Sequence, residues 1–101
     1  PDGGAGYCVL NDLAITAAAL LRDGRVARIL ILDLDVHQGD GTAACLAGLA
    51  GAFPFSIHAE RNFPARKVAG WRDVGLPDGT DDARYLETLA AELPGLFAEA
   101  R

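Results

Sequence analysis

Methionine is absent from this chain, the initiator included, so the chain is expected to lie inside a longer protein. Cysteine occurs only twice, at Cys8 and Cys45, and without paired spacing. That excludes a disulfide framework and a zinc ribbon. Two reduced thiols packed as small apolar groups are expected instead, in keeping with a reducing cytoplasm. Basic residues are in deficit: Lys and Arg total 9 against 14 Asp and Glu, a net charge of -5. With no basic stripe, direct nucleic-acid binding is not expected. No apolar run is long enough to span a bilayer. The opening "PDGGAG" has neither the charge nor the apolar stretch of a signal peptide. A cytoplasmic location without membrane association follows as the expectation.

What is present is ordinary for a folded domain: 101 residues, half of them hydrophobic and 23% charged. That length holds one domain at most. "GGAG" fails as a dinucleotide fingerprint, because no strand precedes it and Val9 stands where the third glycine belongs. Asn11 or Asp12 can cap a helix "LAITAAALLRD", which is apolar nearly all round and therefore expected to be buried. Gly24 is a natural stop just past it. "VARILILDLD" follows from Val26, and the unbroken run Ile29 to Leu32 suits a central parallel strand covered on both faces. "TAACLAGLA" reads as a short helix and "FPFSIHA" (53–59) as a second strand. Residues 60–79 read as one long loop. Thr80 is expected to cap a last helix with Asp81 and Asp82 in its first turn. In it Tyr85, Leu86, Leu89, Leu93, Leu96 and Phe97 recur at helical spacing as a core stripe. Pro94 is expected to kink or end that helix. The alternation of helix and strand predicts an α/β fold with a parallel sheet. In such sheets ligands bind beyond the carboxyl ends of the strands.

"DLDVHQGDGT", residues 33–42, lies at such an end. If the extended backbone persists, Asp33, Asp35 and His37 share one side. Carboxylate oxygen and imidazole nitrogen both ligate zinc, and manganese or iron can use them too. A bound cation would remove the repulsion between neighbouring carboxylates. A solvated turn is the bland alternative, but a turn does not need three such groups on one face. For Asp40, an N-cap of the following helix is a sufficient explanation. A phosphotransferase of the haloacid dehalogenase type also ends a strand in D-x-D-G-T. Here Val36 follows Asp35, and neither later "DGT" carries the nucleophile two residues before it.

Taken together, "GAGYCVLNDLAI", "LILDLDVHQGDGTA" and "SIHAERNFPARK...DVGLPDGTDDARYL" resemble the zinc-dependent histone deacetylase family, within the arginase/deacetylase fold. The "NFP-RK" and "GLPDGT-D--YL" stretches resemble its bacterial and class IV-like branch. The resemblance implies a three-layer α/β/α fold with a parallel sheet, incomplete in this chain. It implies Asp35 and His37 as zinc ligands, with Asp33 and Asp40 each supporting one histidine of a catalytic pair. Gly6 and Tyr7 would line the acyl-lysine tunnel, although a packed core tyrosine explains Tyr7 equally well. A monovalent cation, usually potassium, would be held by Asp33, Asp35, the His37 carbonyl, Ser56 and Ile57. His58 is expected to be a packed, hydrogen-bonded histidine. Arg61, Asn62, Arg66 and Lys67 either shape the site rim or form a solvated loop.

The same resemblance implies that residues 1–101 are a partial catalytic domain. The upstream His-His segment, the third zinc ligand and the catalytic tyrosine would lie elsewhere, so the chain alone is expected to be inactive. The expected activity is hydrolytic deacetylation of an acyl-lysine or a related small acylated amine. A deacetylase-like module that only binds its partner is the alternative. A dinuclear manganese ureohydrolase is disfavoured, because its D-x-H-x-D pattern would need a metal-binding side chain where Gly39 stands.

Overall fold

The computed structural model describes residue 4 and residues 8–101. Six elements follow one another: α1 (Asp12–Arg22), β1 (Ile29–Asp33), α2 (Asp40–Leu46), β2 (Ala52–Ala59), β3 (Arg72–Leu76) and α3 (Asp82–Glu99). The three strands form one parallel sheet in the order β1-β2-β3. Period-two alternation gives that sheet two apolar faces. Ile29, Ile31 and Ala52 pack against Ala14 and Ala17 of α1 and Leu46 of α2. Leu30, Leu32, Phe55, Ile57 and Leu76 pack on the other side with Leu89, Leu93 and Leu96 of α3. The result is the expected α/β/α layering. Among the described residues, no helix is long and apolar enough to cross a membrane.

Several sequence expectations are corrected. The first helix is not buried all round. Ala14 and Ala17 are buried, while Leu13 and Ile15 stay more than half exposed, because only one face meets the sheet and α2. Asn11 is its cap, accepting from the Ala14 N–H at 2.8 Å, and Gly24 at φ +63° ends it as expected. Cys8 and Cys45 are exposed rather than packed. Cys45 falls outside the inward stripe of α2 formed by Thr42, Ala43 and Leu46.

The second helix starts at Asp40, so Asp40 is its first residue and Gly39 occupies the cap position. Residues 60–79 are not one loop, since β3 lies within them and pairs with β2. Its sequence, Arg-Asp-Val-Gly-Leu, carries too few apolar residues to read as a strand. Asp81, not Thr80, caps α3 by accepting from the Arg84 N–H at 2.9 Å. The Thr80 hydroxyl is instead committed to the Pro77 carbonyl at 2.7 Å. The helix then runs on through Pro94 to Glu99. Leu86 and Phe97 are exposed, one helical step off the stripe of Tyr85, Leu89, Leu93 and Leu96 that meets the sheet.

Leu96 is fully buried at the centre of the α3 layer. Its truncation leaves a cavity between Phe55, Ile57 and Leu76 that a parallel sheet cannot collapse to fill. Leu96→Ala should therefore cost about 2–5 kcal/mol in a urea titration. Leu86→Ala, on the exposed face, should stay within about 0.5 kcal/mol of the native protein.

Candidate functional site

The β1 ladder stops at Asp33, so the extended backbone does not persist through His37. The side chains of the aspartates themselves turn the chain. Asp33 Oδ1 accepts from the Asp35 N–H at 3.1 Å, and Asp35 Oδ1 accepts from the His37 N–H at 2.7 Å. Aspartates bonding the main chain two residues on compete with a strand ladder in this way. The turn still brings two of the expected ligand atoms together. Asp35 Oδ1 and His37 Nδ1 lie 3.0 Å apart, both on half-exposed or more exposed side chains. The His37 main-chain bond pulls the Asp35 carboxyl below the usual carboxylate range, with its ring adding to the effect. Asp35 is thus held ionised.

Asp33 behaves in the opposite way. It is half-buried, and desolvation raises its pKa, against the bond from the Asp35 N–H that lowers it. The Asp35 charge raises it further and His58 works against that. In the register Asp33 stands opposite Ser56, and Ser56 opposite Asp73. One polar row therefore runs across the sheet on the face that carries α2, from the carboxyl end of β1 through the middle of β2 to the start of β3. Ser56 and His58 are both buried, with Ser56 Oγ 3.1 Å from His58 Nδ1. Ser56 Oγ also takes the Gly39 N–H at 3.3 Å. His58 is the packed, hydrogen-bonded histidine that was expected. A Cβ on Gly39 would run into the Asp33 carboxylate, so a side chain here would displace Asp33.

The Ile57 side chain sits fully buried in the α3-facing core, which leaves only its main chain for any cation. Asp40 lies half-buried in the first turn of α2. Two residues on, Thr42 Oγ1 accepts from Asn11 Nδ2 at 2.9 Å, tying the start of α2 to the start of α1. Gly6 and Tyr7 lie outside the described residues. Arg61, Asn62 and Arg66 are exposed, while the Lys67 ammonium bridges the carbonyls of Asn62 and Pro64 at 2.7 and 2.6 Å. A cleft of about 400 Å³ opens at the strand ends, with Asp35, Val36, His58, Thr80 and Tyr85 in its walls. Asp33 and His37 are not among its lining residues, so the cleft lies beside the Asp35–His37 pair.

Three neighbours of the site escaped sequence reasoning. The exposed Phe63 ring stands edge-on to His37, with centroids 6.2 Å apart. Gln38 is buried and bonds residues 30 and 35 positions away. Tyr85 was expected in the core stripe, but its hydroxyl also donates to the Leu34 carbonyl at 3.2 Å. Nothing local marks these roles, since each depends on a partner distant in sequence. Among the described residues, no group of three or more His, Cys, Asp or Glu side chains converges to hold a metal. The donor types at Asp35 and His37 fit zinc, but the pair is short of the three protein ligands of a catalytic zinc. A metal at His37 Nδ1 also requires the ring proton to stand on Nε2.

A carboxyl group raised above its ordinary pKa stabilises the fold only while protonated. The Asp33 contribution is complete below the ordinary value of 3.8 and is lost as pH rises through the raised one. Asp33→Asn keeps the oxygen that accepts the Asp35 N–H and removes the charge. In metal-free protein the variant should be the more stable at pH 7, with the gap closing toward pH 3. Urea unfolding at both pH values measures it, and an equal gap at both would exclude desolvation of Asp33 as the cause.

The histone deacetylase domain family matches residues 1–101, the whole chain. An uncharacterized protein of Picosynechococcus sp. is 48% identical over 101 residues, covering all of this chain and 34% of that protein. A probable deacetylase of Archaeoglobus fulgidus is 36% identical over 99 residues, covering 88% of this chain and 27% of the relative. The crystal structure of acetylpolyamine aminohydrolase from Burkholderia pseudomallei superposes with a TM-score of 0.81 at 29% identity, covering 96% of this chain and 32% of that one. The chain thus spans about a third or less of the length of these relatives. A family match from end to end, with the layered parallel sheet and the turned D-x-D-x-H segment at its carboxyl edge, makes this chain a member of the histone deacetylase domain family.

Proposed function

We propose that this chain supplies part of the site of a zinc-dependent amidohydrolase that removes the acyl group from acyl-lysine or a small acylated amine. One observation carries the reading. Two different zinc-type donors, Asp35 Oδ1 and His37 Nδ1, converge to 3.0 Å at the carboxyl end of a parallel strand. Family membership and the aminohydrolase neighbour support the hydrolytic class.

In this reading Asp35 and His37 are two of the zinc ligands, and a third comes from outside the chain. Zinc, when bound, supplies Lewis-acid polarisation of the amide carbonyl and acidifies water toward a pKa of about 7. The chain's own residues do the rest of their work by orientation. The Asp35 carboxylate is already ionised, so it enters the ligand set without giving up a proton. Asp33 and Asp40 each fix the tautomer and raise the basicity of one histidine of a pair contributed from elsewhere. That pair moves a proton from water to the leaving amine, giving acetate and a free amine. Asp33, Asp35, the His37 carbonyl, Ser56 and the Ile57 main chain would hold a monovalent cation such as potassium. Phe63 offers an apolar wall to the stem of the acylated amine beside His37.

The test uses the full-length protein that contains this chain. It should release acetate from an acetyl-lysine peptide or an acetylated polyamine, and chelation should abolish the release. Asp35→Ala and His37→Ala should each lose the bound zinc and the turnover together. Asp40→Asn should keep zinc near stoichiometric and lower kcat about 10- to 100-fold. Chelator-insensitive turnover, or full activity in His37→Ala, would overturn the reading.

The isolated 101-residue chain should behave differently. With two protein ligands it should bind zinc weakly and release no acetate from either substrate in an end-point assay. Zinc-dependent turnover by the chain alone would show that its site needs nothing further.

A further inference from the structure

The buried Gln38 stands between the ligand-type His37 and the cramped Gly39, and the mechanism above gives it no task. It is only 5% exposed, yet both amide hydrogens and the amide oxygen are engaged. Its Oε1 accepts from the Val68 N–H at 3.0 Å and its Nε2 donates to the Val68 carbonyl at 2.9 Å. The second Nε2 hydrogen goes to Asp73 Oδ1 at 2.9 Å. The other Asp73 oxygen accepts from the Gly70 N–H at 2.7 Å. One amide therefore grips both main-chain groups of Val68 as a neighbouring strand would, and Asp73 holds the next turn.

The segment so held has little else to fix it. Between Glu60 and Trp71, Pro64 is buried and Val68 half-buried, while Phe63 is 59% exposed. Lys67 closes the near half by bridging two carbonyls, and Gln38 with Asp73 closes the far half. Phe63, whose ring stands edge-on to His37, lies inside the Lys67 clamp, between Asn62 and Pro64, and Lys67 directly precedes the Val68 that Gln38 holds. The clamp is selective for glutamine. A glutamate has no donor for the Val68 carbonyl and would set its charge against Asp73, and a leucine would leave all three partners unpaired.

We propose that Gln38 is a positioning residue. It locks the 60–71 loop to the ligand-bearing turn, so that Phe63 is held in place beside His37 when substrate arrives. This rests on the amidohydrolase reading for its catalytic consequence, while the clamp itself does not.

The experiment uses the full-length protein with Gln38→Leu, and with the milder Asp73→Ala as a second variant should the first fold poorly. Amide exchange followed by mass spectrometry should rise at least tenfold across peptides spanning 61–70 and stay unchanged in α3. Zinc content should be retained. KM for an acetyl-lysine peptide should rise about tenfold with kcat within threefold, and Asp73→Ala should shift both readouts the same way by less. Adding Phe63→Ala to Gln38→Leu should raise KM no further, because both changes remove the same wall. Unchanged exchange in both variants would overturn the clamp. A loosened loop with unaltered KM, or a fall in kcat that tracks lost zinc, would overturn the positioning role. Should the native protein hydrolyse neither acyl-lysine nor acetylated polyamine, the amidohydrolase reading fails, and the exchange result alone decides the clamp.

Discussion

The site depends on a row of three polar residues laid across the sheet. Parallel register sets Asp33, Ser56 and Asp73 side by side, level with the carboxyl end of β1 and all on the α2 face. Each of the three engages the short turn that enters α2. Asp33 abuts Gly39, Ser56 takes the Gly39 N–H, and Asp73 takes the Gln38 amide. Ser56 and Gln38 are the buried members of this set, and buried polar groups are tolerable only when paired, which the Gly39 N–H and the Asp73 carboxylate provide. A one-residue slip of any strand would send its member of the row to the apolar α3 face. Leu30, Leu32, Phe55 and Ile57, packed under α3, make that slip costly. The apolar core thus sets the register, and the register sets the site.

Within this frame the two aspartates of the motif have opposite environments. Asp35 is exposed and receives the His37 N–H, which favours its charge. Asp33 is half-buried, and desolvation outweighs the one N–H it receives. The chain therefore carries an ionised, exposed carboxylate at Asp35 and a partly desolvated one behind it at Asp33.

Much of this was legible in the residues, and the failures have a common cause. The run Ile29–Leu32 announced a strand covered on both faces because its own side chains form both faces. The stripe in α3 was readable for the same reason, except at Leu86 and Phe97, where a one-step error in phase decides exposure. β3 was missed because Val74 and Leu76 are its only apolar residues, and pairing with β2 supplies what its composition does not. The end of β1 was misplaced because the aspartate side chains bond the main chain in competition with the ladder. At the site, Asp33, Asp35, His37 and Asp40 were singled out by a local pattern. Gln38 and Phe63 were not, since the burial of one and the orientation of the other are decided across the fold.

The bare α-carbon at Gly39 also bears on how such a site can change over time. The space a side chain would need there is already filled by the Asp33 carboxylate. A two-metal site built on the same strand would want a carboxylate at position 39, and this one wants a carboxylate at position 33. The two arrangements compete for one volume, so a carboxylate introduced at position 39 would have to push the Asp33 side chain aside. The intermediate with both would be overfilled, and the intermediate with neither would have lost its charge. What can stand at position 39 is therefore decided by what stands at position 33, six residues earlier, and the two positions would have to change together.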